Sequence, residues 1–211
     1  LEEIKEVQLP QINIIKPQEI NFEFKIGEVI ETNYNIGEEI STREAYGKTL
    51  GKLSLGDNRV IVVDAEVSNS TFSDEVKKIN PKQFIEAYIA EQNMVGICLG
   101  LSKKGFNVFG SSFAAFLSRA HDQIRMSALS SGNFTLCGSH CGVSIGEDGA
   151  SQMGLEDIGM FRSLIGSSVF YPCDAVSTCK IVNLVGNLEG IKYLRTTRGK
   201  TKVIYKNDEK F

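Results

Sequence analysis

No tryptophan occurs among the 211 residues; histidine occurs twice and proline four times. No stretch approaches the run of about 18 apolar residues that a bilayer-spanning helix needs, so the sequence offers no membrane span. Positive charge is not in excess. Lys and Arg number 23 against 26 Asp and Glu, and the net charge of −3 excludes a general binder of nucleic acid or of anionic membranes. The opening residues, LEEIKEVQLP, lack the apolar core of a secretion signal. Leu1 stands where a whole reading frame would begin with Met, as expected of a segment cut from a longer chain. The five cysteines (Cys98, Cys137, Cys141, Cys173 and Cys179) are scattered and odd in number, which does not make a disulfide framework. A reduced, cytoplasmic setting is therefore expected, where the sequons at Asn69 and Asn133 are chance matches.

What is present is ordinary globular material: 42% apolar and 23% charged residues, enough for one good core. Residues 1–40, with Pro10, Pro17 and no clean period, read as a linker or arm with one short strand near Phe22–Phe24. Residues 41–211 read as one domain. Ser41 and Glu44 form a capping box that opens a helix through about Leu53. Arg59–Asp64 is a nearly continuous apolar run, the mark of a strand buried on both faces. Further strands fit Phe84–Tyr88, Asn107–Ser111, Phe134–Cys137, Ser168–Tyr171 and Ile191–Leu194. Helices fit Glu91–Ser102, Phe113–Ser130, Leu155–Leu164 and Ala175–Leu184. This alternation demands crossovers, and hence an α/β fold with a mainly parallel sheet and helices on both faces. Ligands in such folds sit beyond the carboxyl ends of the strands, which directs attention to 64–72, 88–92, 110–114, 138–153 and 195–200.

Three motifs mislead. Gly142-Val-Ser144-Ile-Gly146 matches the nucleophile elbow of serine hydrolases, but that motif needs a histidine later in the chain, and His121 and His140 both precede Ser144. Cys137, His140 and Cys141 lack the second spaced pair of a structural zinc site, so small buried residues in a tight segment are the simpler reading. Gly146-Glu-Asp-Gly149 lacks the Lys-Ser/Thr of a phosphate loop. Glu91 sits at a strand end and a helix start, where the helix dipole alone would favour an acid. Phe113 and Phe116, three apart on one expected helix face, would by default be core.

Four runs together change these readings: Tyr88-Ile-Ala-Glu-Gln-Asn-Met94, Phe113-Ala-Ala-Phe116, Asp122-Gln-Ile-Arg-Met126 and Gly138-Ser-His-Cys-Gly-Val-Ser-Ile-Gly-Glu-Asp-Gly149. In order and spacing they resemble the pyrimidine-binding middle domain of animal-type transketolases, from about Thr42 to Phe211. The resemblance implies thiamine diphosphate as cofactor and transfer of a two-carbon ketol unit from a ketose phosphate to an aldose phosphate. Glu91 then resembles the glutamate that hydrogen-bonds N1′ of the aminopyrimidine and assists removal of the thiazolium C2 proton. Phe116 resembles the ring stacked on the pyrimidine, with Phe113 beside it, and Gln152 a polar cofactor contact. Arg43, Ser70, His140 and Arg198 match sugar-phosphate contacts, and Asp148 a carboxylate that reads a substrate hydroxyl.

No metal ligand is expected in this chain, because the family's divalent metal (magnesium or calcium) belongs to the diphosphate domain, which is missing here. The family's cofactor lies between subunits, so a homodimer of the full-length protein is implied, and the isolated segment is expected to be inactive. Two positions depart from the family pattern: Glu66 stands where an aspartate is usual, and Ala150 replaces a common proline. They keep open a non-catalytic, transketolase-like interaction protein; another thiamine-diphosphate enzyme of the same fold also stays open.

Overall fold

A computed structural model describes residues 20–211; the stretch with Pro10 and Pro17 lies outside them. The regular elements run β1 (Glu39–Ser41), α1 (Thr42–Gly56), β2 (Val60–Asp64), α2 (Ser68–Thr71), α3 (Asp74–Ile79), β3 (Phe84–Glu86), α4 (Glu91–Ser102) and β4 (Asn107–Phe113). They continue with α5 (His121–Leu129), β5 (Phe134–Ser139), α6 (Asp157–Arg162), β6 (Ser168–Phe170), α7 (Ala175–Val185), β7 (Ile191–Arg195) and β8 (Lys200–Lys202). Six strands form one parallel sheet in the order β3-β2-β4-β5-β7-β6. β1 and β8 make a separate antiparallel pair, with Ile40 opposite Thr201.

Alternation along each strand sorts the core into two layers. Ile61, Val63, Val108, Leu136, Ile191 and Tyr193 face one side, packed with Met94, Val95 and Cys98 of α4, Ile124 of α5 and Phe161 of α6. Val60, Val62, Phe109, Cys137 and Leu194 face the other, against Tyr46, Leu50 and Leu53 of α1, Val76 of α3 and Val182 and Val185 of α7. Every residue of β2 is buried, as its unbroken apolar run predicts. This is the expected α/β architecture, with helices on both faces. A third small cluster (Ile40, Ala45, Ala175, Val176 and Val203) seats the β1–β8 pair against α1 and α7.

The Ser41 cap forms: its side chain accepts from the Glu44 N–H at 3.4 Å. Glu44 itself turns outward to Lys48, so the reciprocal half of the box is replaced by an i,i+4 ion pair. Helix α4 has the expected bounds. The expected helix over Phe113–Ser130 does not form as one piece. Phe113 is the last residue of β4, because β5 continues to Ser139 and offers it a partner. A 3₁₀ turn over Phe116–Ala120 follows, and α5 begins at His121. The helix expected at Leu155–Leu164 covers Asp157–Arg162. Phe22–Phe24 is not a strand; both rings pack edge-on against Phe106, with centroids 4.8 and 5.3 Å away.

Candidate functional site

The chain leaves β3 through Tyr88, which takes a positive φ of 56°, and enters α4 at Ala90, whose side chain cannot cap. The open helix start suits an acid. Glu91 occupies the first helical position with its side chain 3% exposed. Arg119 Nη1 donates to Glu91 Oε2 at 3.2 Å from a side chain 57% exposed. Among the described residues it is the one side-chain partner of this carboxylate.

Two strands along the sheet from β3, β4 and its neighbour β5 deliver a ladder of rings. Phe113 ends β4, and Phe116 opens the 3₁₀ turn. Their rings stack with centroids 5.0 Å apart and planes 18° apart. The other side of Phe113 carries His140, at 3.9 Å and 19°. His140 follows β5 with φ 58°, and its Nδ1 lies 3.0 Å from the Ser139 hydroxyl. Burial, then the positive charges of Arg43 and Arg198, push the imidazole down to about 4 from its ordinary 6.5, so it is neutral near pH 7.

Those two arginines form the rim beyond the ladder. Arg43, in the first turn of α1, donates from Nη1 to the Ser70 carbonyl at 2.7 Å and lies 5.2 Å from the Phe72 ring centroid. Its Nε is buried with no partner among the described residues. Burial and the nearby Arg198 pull its guanidinium below the usual arginine range. Arg198 donates to the Ile145 carbonyl at 2.7 Å and pairs with Asp148. Two guanidinium groups close enough to disfavour each other, one with an idle buried N–H, are suited to a multiply charged anion.

Two buried anchors hold the loops that carry these groups. Asp64, at the end of β2, accepts from the Val67 N–H (2.7 Å), the Thr71 hydroxyl (2.8 Å) and the Ser73 hydroxyl (2.8 Å), and so shapes the segment bearing Ser70. Burial pushes its carboxyl up to about 6. Asp157, at the start of α6, takes Arg195 Nε at 2.7 Å and the Tyr193 hydroxyl at 2.6 Å. Arg195 also donates to the Gly154 carbonyl at 2.9 Å, closing the base of the glycine loop. Gly138 lies beneath: a Cβ there would stand 2.2 Å from the Tyr193 hydroxyl oxygen, so only glycine lets β5 pass.

The fold therefore brings Arg43, Ser70, His140, Asp148 and Arg198 into one network. It joins Phe113, Phe116 and His140 in one stack, and links Glu91 to the turn of Phe116 through Arg119. Gln152 stands somewhat apart, half-buried in a 3₁₀ turn over Ala150–Gln152, with no side-chain bond to the other candidates. Ser144 is exposed, and the neighbouring His140 is engaged in the stack and with Ser139. Among the described residues no three His, Cys, Asp or Glu side chains gather as a metal centre, and no helix is long and apolar enough to cross a membrane. Sequence reasoning missed Arg119, Asp64, Asp157 and Arg195, since a charged residue is by default read as solvated.

Comparison with known proteins places the chain in a family. Residues 38–203 match the family model described as transketolase, pyrimidine binding domain. Transketolase of Homo sapiens is 54% identical over 180 residues, covering 85% of this chain and 29% of its own length. Transketolase-like protein 2 of Mus musculus is 56% identical over 179 residues, covering 84% of this chain and 28% of its own. Transketolase-like protein 1 of Macaca fascicularis is 48% identical over 203 residues, covering 96% and 34%. The chain thus spans about a third or less of the length of these relatives. Among solved structures, a split-gene transketolase in an inactive beta4 tetramer superposes with a TM-score of 0.73 at 37% identity, covering 82% of this chain and 55% of that one. Transketolase of Campylobacter jejuni, at 20% identity and a TM-score of 0.77, shares the fold. The chain belongs to the transketolase family, within which it is a pyrimidine-binding domain.

Proposed function

We propose that residues 41–211 supply the pyrimidine half of a thiamine-diphosphate site in a full-length, cytoplasmic transketolase, with residues 1–40 as the arm leading in. That protein would act as a homodimer in the pentose phosphate pathway, moving a two-carbon ketol unit from a ketose phosphate to an aldose phosphate. The observation that carries the reading is a buried carboxylate tied by Arg119 to the 3₁₀ turn that carries Phe116, the half-exposed outer member of a ring stack. A flat, basic heterocycle needs both a plate and an acid, and this pairing fits an aminopyrimidine.

When bound, the cofactor would supply carbanion chemistry at its thiazolium C2. Glu91 would hold the shared proton at N1′. Phe116, backed by Phe113, would fix the ring plane, and Gln152 would add a polar contact. Arg43, with its idle buried Nε, and Arg198 would take the substrate phosphate together with Ser70. Neutral His140 and Asp148 would read sugar hydroxyls. The divalent metal, magnesium or calcium, would be held by another domain. In the full-length protein, Glu91→Gln is expected to lower turnover in a coupled sugar-phosphate assay by roughly 10²-fold or more. Unchanged turnover would sink the reading.

A second reading, a non-catalytic transketolase-like partner protein, draws on Glu66. This residue holds φ 63° on the same rim, a conformation an aspartate adopts more readily. It predicts no sugar-phosphate turnover by the wild-type full-length protein in that assay.

A further inference from the structure

We infer that Arg119 is a positioning residue for Glu91: its guanidinium fixes one carboxylate oxygen and leaves the other to exchange a proton with the cofactor ring. The inference rests on the proposed function and concerns how that site is held ready.

Three observations carry it. The first is the asymmetry of the ion pair. Pairs between two exposed side chains contribute little, because water competes for both ends. Here the acid is 3% exposed and the base 57%, so the arginine reaches from solvent to a carboxylate that has no other side-chain partner among the described residues. A buried carboxylate left without such a partner is costly, so the contact defines where the carboxylate sits.

The second is its single-pronged form. Only Nη1 and Oε2 meet, at 3.2 Å, and no hydrogen bond reaches Oε1 among the described residues. A forked arginine–carboxylate pair would occupy both oxygens and compete with any ligand. This one orients the group while keeping an acceptor free.

The third is the turn that carries it. Phe116 and Arg119 stand at i and i+3 of a 3₁₀ turn, where side chains three apart eclipse. The segment that presents the half-exposed ring therefore presents the guanidinium on the same side. A continuous α-helix from Phe113 would have offset them. β4 running on to Phe113, and the tight turn after it, bring plate and clamp together.

The test uses the full-length protein with thiamine diphosphate and magnesium, as wild type, Arg119→Met, Arg119→Lys and Glu91→Gln. The readouts are deuterium exchange at C2 of the bound cofactor, cofactor Kd by calorimetry, and melting temperature. Arg119→Met should slow exchange by roughly tenfold, as a mispositioned catalytic group does. Its Kd should stay within about threefold, its melting temperature should fall as the buried carboxylate loses its partner, and Arg119→Lys should recover part of the rate. Exchange at the wild-type rate in Arg119→Met, alongside slow exchange in Glu91→Gln, would overturn the inference and spare the proposed function. A rate that falls only together with a large loss of cofactor affinity would mark a merely structural ion pair and also overturn it. Wild-type exchange in Glu91→Gln would remove the proposed function, and this inference with it.

Discussion

Polar groups at the amino rim of the parallel sheet meet fitted partners, while strained backbone and unpartnered polar groups crowd the carboxyl rim beside its few anchored aspartates. On the amino side Asp57 takes the Arg59 guanidinium through Nε (3.0 Å) and Nη2 (2.6 Å) and caps the Arg59 N–H at 2.9 Å. Asn58 and Asn183 clip the passing arm as a neighbouring strand would. Asn58 accepts from the Lys25 N–H and donates to the Glu23 carbonyl; Asn183 does both to Ile30. On the carboxyl side Glu66, Phe72, Tyr88 and His140 all hold positive φ, and Arg43 Nε and Ser112 Oγ are buried without partners among the described residues. Ser131 and Thr135 Oγ1 are the exceptions near the amino side. Strain and idle polarity cost stability unless something offsets them, and their crowding at one rim marks where a ligand would do so.

The comparison has a mechanical corollary. Many small clips hold the amino rim, whereas a few buried anchors hold the carboxyl rim, so single losses should weigh differently. The largest effect is expected from Asp157→Ala, which strands Arg195 and frees the Tyr193 hydroxyl: about 3–5 kcal/mol in denaturant unfolding. A loss under 1 kcal/mol would break the comparison.

The next effect is on pH dependence. His140 has a folded value of about 4, below its ordinary 6.5, so between these values the folded chain binds fewer protons than the unfolded one. Its contribution is whole above pH 6.5 and is lost as pH falls through about 4. Asp64 runs oppositely: its folded value of about 6 lies above 3.8, so its contribution is present below 3.8 and lost as pH rises through about 6. Stability curves of wild type and His140→Asn, subtracted, isolate the histidine. The difference should shrink on acidification from pH 7 to 4.5, on the order of 1 kcal/mol. A flat difference would show that His140 is not the buried base described.

The smallest effect is expected from Asn183→Ala on the amino side, about 1 kcal/mol for two clips to an arm half in water. Limited proteolysis should then cut near Ile30 sooner than in the wild type. Equal cleavage would mean that the arm is held by something other than these clips.

Much of this fold was legible, because two-sided burial writes itself into strands. Val60–Asp64 is apolar at every position before its aspartate, and the helix Glu91–Ser102 is stopped by Lys103-Lys104-Gly105. β8, with the sequence Lys-Thr-Lys, was invisible, since its strand character comes wholly from pairing with β1. Helices α2 and α3, of four and six residues, are too short to show a period. Phe113-Ala-Ala-Phe116 suggests a helix locally, but tertiary pairing overrides that preference at Phe113.

The candidate site divides the same way. The residues carrying the resemblance were readable by type and order, and the fold puts most of them together. Their supports were not readable, because nothing in the sequence says that Asp157 and Arg195 are buried and 2.7 Å apart, or that Arg119 leans on Glu91. Burial of charge is a property of three-dimensional neighbours, not of composition.

The antiparallel pairing of Glu39–Ser41 with Lys200–Lys202 sets the strand before α1 against the strand after β7, so the two ends of the sheet domain lie side by side. Chain ends set side by side at the surface confine a pull on them to this short pair and its neighbouring clips, and spare the sheet behind.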